Sequence, residues 1–137
     1  MGDLNYRLNT TFEELSDNNR GGEALLMAQT KDDEFTVAQS EGNFVNYTEP
    51  KIEFLPTYKL KFDTMVYVNK RSQAPSYCDR VLFKNNSNFE VVDEFYKSRE
   101  EILGSDHRPV QRSLTIKNFR QPAYADIQKL LDSENSV

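Results

Sequence analysis

The chain has 137 residues, with 17 Lys plus Arg against 22 Asp plus Glu for a net charge of −5, and 37% of it is hydrophobic and 28% charged. That length fits one domain at most, and a single Cys with a single His excludes an internal disulfide, an all-thiolate metal site and a multi-histidine zinc site, leaving oxygen ligands for any metal. No apolar run approaches the ~18 residues of a membrane span and the N-terminus lacks a signal-peptide pattern, so an intracellular, cytoplasmic protein is the expectation.

In chain order, Thr11-Phe12-Glu13-Glu14 has the form of a capping box and predicts a short helix, which Asp17 to Gly22 breaks. Glu23 to Gln29 reads as a second helical stretch, and the acidic run Asp32-Asp33-Glu34 is expected to sit in solvent. From residue 44 the period changes toward strands: Ile52 and Phe54 alternate with charged neighbours, Met65 to Val68 is β-rich, and Val81-Leu82-Phe83 is a short apolar run. Phe89, Val91 and Ser113 to Ile116 continue that character, with a turn signal at Asn85 to Asn88. Tyr124, Ile127, Leu130 and Leu131 share one face of a closing helix that begins near Pro122. Pro50, Pro56, Pro75 and Pro109 fall near strand ends, where a missing amide does least harm.

Charge is unevenly placed: residues 1–50 carry 3 basic and 10 acidic side chains, residues 51–84 carry 7 and 3. An acidic chain with one basic middle segment argues against general nucleic-acid binding, which uses a broad basic face, and suits a small local anion site. Lys59, Lys70 and Arg71 in that segment are candidate phosphate contacts, with the Tyr58 hydroxyl beside them; a solvated surface run is the plain alternative. Asp3 and Asn5 lie two apart, on one side of an extended strand, where a carboxylate could take a proton from water and a carboxamide could donate to an oxyanion. The same pair also serves an ordinary turn. Asp106 and His107 are adjacent and would face opposite ways on a strand; one reading gives the carboxylate to a hard cation and the imidazole, oriented by another carboxylate, to a phosphoryl oxygen, and the plain alternative is a loop histidine capped by its neighbours. Asp79 is the candidate for that orienting carboxylate, and Cys78 suits a small core filler.

Taken together and in order, four stretches resemble the inositol polyphosphate 5-phosphatases of the endonuclease/exonuclease/phosphatase superfamily. They are Gly2-Asp3-Leu4-Asn5-Tyr6-Arg7-Leu8, residues 49–59 ending in Pro56-Thr57-Tyr58-Lys59, residues 74–82 containing Cys78-Asp79-Arg80, and Ser105-Asp106-His107-Arg108-Pro109-Val110. The resemblance implies an α+β fold, two packed β-sheets in a sandwich flanked by helices. It also implies Mg²⁺-dependent removal of the 5-phosphate from phosphoinositides or soluble inositol phosphates. Asp3 is then the base that activates water, Asn5 its transition-state partner, Asp106 the metal-side carboxylate, His107 the phosphoryl-binding group and Asp79 its orienter. Tyr58 and Lys59 are contacts to a neighbouring ring phosphate. Family members commonly carry a Lys four residues and an Arg two residues before Pro75, where this chain has Arg71 and Gln73, with Lys70 available to compensate.

The same resemblance implies a whole N-terminal half that supplies the remaining metal ligands, so residues 1–119 are expected to be the C-terminal half of a catalytic domain and residues 120–137 a helix and tail. Such a half, peripheral at a membrane surface, is expected to be inactive alone. A non-catalytic phosphoinositide-binding module is the alternative, and a nuclease of the same superfamily a third.

Overall fold

Residues 1–16, 33–85 and 89–117 are described, in a computed structural model. Their elements are β1 (Gly2–Asp3), α1 (Phe12–Ser16), α2 (Glu34–Ser40), β2 (Tyr47–Thr48), β3 (Asp79–Arg80), β4 (Phe83–Lys84), β5 (Glu90–Ser98) and β6 (Val110–Lys117). Strands pair antiparallel as β1–β3, β2–β4 and β5–β6. The β5/β6 ladder is the long one, and a bulge between Asp93 and Phe95 adds local twist to it. Its ends are joined by residues 99–109, and the Arg99 N–H donates to the Pro109 carbonyl at 2.8 Å to close the base of that loop.

Leu8, Ile52, Phe54, Ala74 and Tyr77 form the core cluster, with Leu15, Tyr96 and Val110 packed against it. Phe54 meets Tyr77 and Tyr96 edge-on at centroid distances of 6.1 and 5.1 Å, the offset arrangement that aromatic quadrupoles favour. The expected alternation at Ile52 and Phe54 is present in burial, with Lys51 and Glu53 exposed, but the segment forms no strand. Met65 to Val68 is likewise not a strand. It belongs to a tight turnback in which Lys61 N–H donates to Val66 O and Val68 N–H to Lys59 O, around the single bridge Leu60↔Tyr67. Met65 and Val66 sit exposed on this turnback.

The acidic run corrects the sequence expectation most sharply. Asp33 is 3% exposed; its carboxylate accepts from the Phe35 N–H as the N-cap of α2 and pairs with the Arg80 guanidinium. Arg80, itself 2% exposed, also donates to Glu49 Oε2 at 2.9 Å and to the Tyr77 carbonyl at 2.9 Å, and lies 4.5 Å from the Phe35 ring centroid. Glu49 in turn accepts the Tyr96 hydroxyl at 2.6 Å. One cation thus joins α2, the segment before Lys51 and the β5 strand. The α1 helix begins where the capping pattern predicts, while the expected helices at 23–29 and after Pro122 lie outside the described residues. Among the described residues no helix is long and apolar enough to cross a membrane.

Removing one partner of a buried charge cluster leaves the others desolvated and unpaired, which typically costs about 3–5 kcal/mol. Arg80→Met is therefore expected to lower the urea unfolding free energy by about that much. A loss below about 1 kcal/mol would show that Asp33 and Glu49 find water instead.

Candidate active site

The β1/β3 register sets Asp3 directly opposite Asp79, so their side chains emerge on one side of the ladder. Gly2, at φ 142°, holds a conformation that L side chains rarely adopt just before Asp3. After Asp3 the chain does not stay extended as expected. Asn5 takes φ 58°, which its short polar side chain tolerates, and its N–H donates to Asp3 Oδ1 at 2.9 Å. Asp3 and Asn5 are thus joined by a turn rather than by strand periodicity.

Asp79 Oδ2 receives two hydrogen bonds: one from Thr57 Oγ1 at 2.6 Å and one at 2.9 Å from His107 Nδ1. A carboxylate only accepts, so Nδ1 carries a proton in this pair and Nε2 is left facing outward. Nε2 lies 4.0 Å from Asp3 Oδ2. The imidazole is thus bracketed by two aspartates from adjacent strands, one bonded to it and one across a gap.

Backbone pairing explains why these distant segments meet. Tyr58 and Ser76 exchange hydrogen bonds at 3.2 and 2.7 Å, while Arg108 N–H donates to Thr57 O and Leu60 N–H to Asp106 O, each at 2.9 Å. The 57–60 segment is therefore held between the segment leading to β3 and the loop carrying Asp106 and His107. Arg108 is 1% exposed and fixes that loop from beneath, donating to Ser105 O at 3.0 Å, His107 O at 3.2 Å and the Thr64 carbonyl.

Asp106 faces away from the Asp79–His107 pair and takes Lys59 Nζ at 2.6 Å. That hydrogen bond is the main cause holding the Asp106 carboxyl below its ordinary range and the Lys59 ammonium above its own, against the opposing effect of burial. Tyr58 stacks on His107 with centroids 4.3 Å apart and planes 31° inclined. Lys70 and Arg71 are not brought to this cluster. They are exposed on a loop that docks to the start of α1 through Phe12 N–H to Ser72 O and Asn69 Nδ2 to Glu13 Oε1. Cys78 is fully buried, and burial pushes its thiol up to about 12, in keeping with a core filler. Two groups of the cluster, Thr57 and Arg7, carry no role in the sequence reading; a threonine between Pro56 and Tyr58 gives no signal until the fold brings Asp79 to it.

No three His, Cys, Asp or Glu side chains among the described residues are grouped to hold a metal ion. With Asp106 already neutralised by Lys59, the described residues do not by themselves fit a divalent cation, which prefers several oxygen ligands.

A protein-family model described as Endonuclease/Exonuclease/phosphatase family 2 matches residues 1–113. The chain belongs to this family. It is 30% identical over 122 residues to synaptojanin of Caenorhabditis elegans, covering 88% of this chain and 11% of that protein. Among solved structures, the inositol polyphosphate 5-phosphatase domain of SPsynaptojanin, bound to inositol (1,4)-bisphosphate and calcium, matches with TM-score 0.68 and 27% identity, covering 97% of this chain and 39% of that one. A Cimex nitrophorin solved as its ferrous NO complex matches with TM-score 0.74 and 29% identity, over 84% and 40% of the two chains. These likenesses place the α+β fold within the endonuclease/exonuclease/phosphatase architecture and bear out the resemblance to the inositol polyphosphate 5-phosphatases. The chain spans between about a tenth and about a third of the length of the first curated relatives it matches. Because a nitrophorin shares the architecture, activity in this family has to be argued from side chains rather than from fold.

The Lys59–Asp106 pair gives a pH signature. The depressed carboxyl contributes stability that is present above its ordinary 3.8 and lost as pH falls through its lower folded value; the raised ammonium contributes stability that is present below its ordinary 10.5 and lost above that. The urea midpoint difference between the native chain and Asp106→Asn should therefore be present at neutral pH and shrink as pH falls through and below the carboxyl's ordinary 3.8. A difference that stays unchanged into strong acid would contradict this pairing.

Proposed function

We propose that the chain is the C-terminal half, residues 1–119, of a catalytic domain that hydrolyses the 5-phosphate of phosphoinositides or soluble inositol polyphosphates. The observation that carries this reading is the His107 Nδ1 to Asp79 Oδ2 bond at 2.9 Å with Asp3 Oδ2 4.0 Å from the other ring nitrogen. A ring held by Nδ1 in this way turns Nε2 toward a phosphoryl oxygen, to which it donates when that nitrogen also carries a proton, while Asp3 takes a proton from the attacking water and Asn5 offers its amide to the charge that develops. Phosphoryl transfer is served mainly by such positioning and charge neutralisation. Tyr58 and Lys59, next to His107, are the proposed contacts to a neighbouring ring phosphate; Lys70 and Arg71 would reach a larger headgroup only from the adjoining loop. The names of the relatives, synaptojanin and the inositol polyphosphate 5-phosphatases, support the same substrate class.

Mg²⁺ is the proposed cofactor, with Asp106 as one ligand once it exchanges Lys59 for the ion, and the others from the N-terminal half of such a domain. When bound, a divalent ion would neutralise phosphoryl charge. A cytoplasmic protein that meets its lipid substrate at a membrane surface follows from the same proposal. The ion pair that occupies Asp106 favours a second reading, a module that binds inositol phosphates without turnover.

Phosphate release from a panel of phosphoinositides and soluble inositol phosphates, with Mg²⁺ and with chelator, tests the proposal. The chain alone should release little, whereas a chimera carrying the N-terminal part of the SPsynaptojanin 5-phosphatase domain should release the 5-phosphate. In that chimera Asp3→Ala and His107→Ala should each lower kcat by roughly 10²-fold or more. Turnover unaffected by either substitution would remove both residues from the chemistry, and an inactive chimera that binds inositol phosphates would favour the second reading.

A further inference from the structure

Arg7 is the penultimate residue of the first matching stretch and has no part in the roles assigned above. Its main chain is gripped from both sides by the first residue of α2: the Arg7 N–H donates to Glu34 Oε2 at 2.8 Å, and the Glu34 N–H donates to the Arg7 carbonyl at 2.9 Å. The side chain then enters the candidate site. Nη2 donates to Asn5 Oδ1 at 2.5 Å, the guanidinium carbon stands 4.5 Å from the Tyr58 ring centroid, and Tyr58 stacks on His107 at 4.3 Å. Nη1 is enclosed with no hydrogen-bond partner among the described residues. An enclosed donor without a partner is unfavourable, so the guanidinium stays where it is because of its contacts to Asn5 and Tyr58.

Two consequences follow from the chemistry of a guanidinium. It has only donors, so the Asn5 carboxamide must turn its oxygen toward Arg7 and its NH₂ away from it. A planar cation near the face of a phenol also restrains the ring, and that ring lies against the only imidazole in the chain. Other charges near Tyr58 are Lys59 Nζ, 5.4 Å from its centroid and engaged by Asp106, so Arg7 is the cation whose ring contact is not tied to a carboxylate.

We infer that Arg7 is a positioning residue: through Asn5 it fixes which end of the carboxamide faces the reacting phosphoryl group, and through Tyr58 it fixes the plane of the His107 ring. The inference rests on the functional reading above for the roles of Asn5 and His107, but the geometry itself is testable without turnover.

His107 being the single histidine, its ring protons give isolated resonances in the full chain, and a stacked phenol shields them. Tyr58→Leu gives the unshielded reference. Arg7→Met is expected to remove more than half of that shielding while leaving the β5/β6 amide resonances in place, and Arg7→Lys is expected to retain most of it. The Asn5 side-chain NH₂ pair should move toward solvent-like positions in Arg7→Met. If Arg7→Met does not give a dispersed spectrum, Arg7→Gln, which removes the charge but keeps a polar group of similar reach, carries the same expectation. His107 and Asn5 side-chain resonances that shift no more than they do in a Lys117→Met control on β6 would overturn the inference. A phosphatase assay that fails would sink the functional reading and leave this result standing, and the converse also holds.

Discussion

Asp79 and Arg80 make up a two-residue strand, and strand geometry sends their side chains to opposite sides. Asp79 turns to the site and is satisfied by Thr57 and His107. Arg80 turns to the interior and is satisfied by Asp33, Glu49 and the Tyr77 carbonyl. Each charge is neutralised by residues far away in the chain, so placing these two side chains draws together α2, the 49–57 segment and the loop between β5 and β6. The electrostatics that hold the interior and those that hold the site share one short stretch of backbone.

That arrangement explains how a polar chain, 28% charged, organises a site with few regular elements. Among the described residues three two-stranded ladders leave much of the backbone outside sheet pairing, and the 57–60 segment shows where those groups go: to Ser76 on one side and to residues 106–108 on the other. Arg108 supplies the remaining donors from below. Tyr58, Lys59, Asp106 and His107 are consequently presented by crossing loops whose main chains are tied to each other. Tying the loops to each other satisfies main-chain groups that no sheet ladder pairs.

The candidate site was legible so far as its chemistry-bearing residues come in short ordered stretches that a family resemblance picks out, the aspartate beside Cys78 among them as a candidate partner of the histidine. Local pattern failed where long-range charge pairing decided the outcome. Asp33 reads as one of three adjacent acids suited to solvent, yet it is buried because a cation 47 positions away needs it. The signal for α2 was present in the same residues, an aspartate N-cap followed by Glu34 and then Phe35, Val37 and Ala38, but the acidic run masked it. Met65 to Val68 has strand composition but pairs only with residues 59–61 across a tight turn, at one bridge, and composition does not reveal how far pairing extends. In the site, Asp106 is paired with Lys59, a partner that residue type and spacing did not single out.

The central claim is that Asp79 holds the His107 ring by Nδ1. The most direct measurement is the tautomer of the neutral imidazole, read from the ¹⁵N shifts of the only histidine in the chain and compared with Asp79→Asn. Protonation at Nδ1 in the native chain, weakened or lost in Asp79→Asn, is the predicted result. A neutral ring protonated at Nε2, with no response to the substitution, would contradict it.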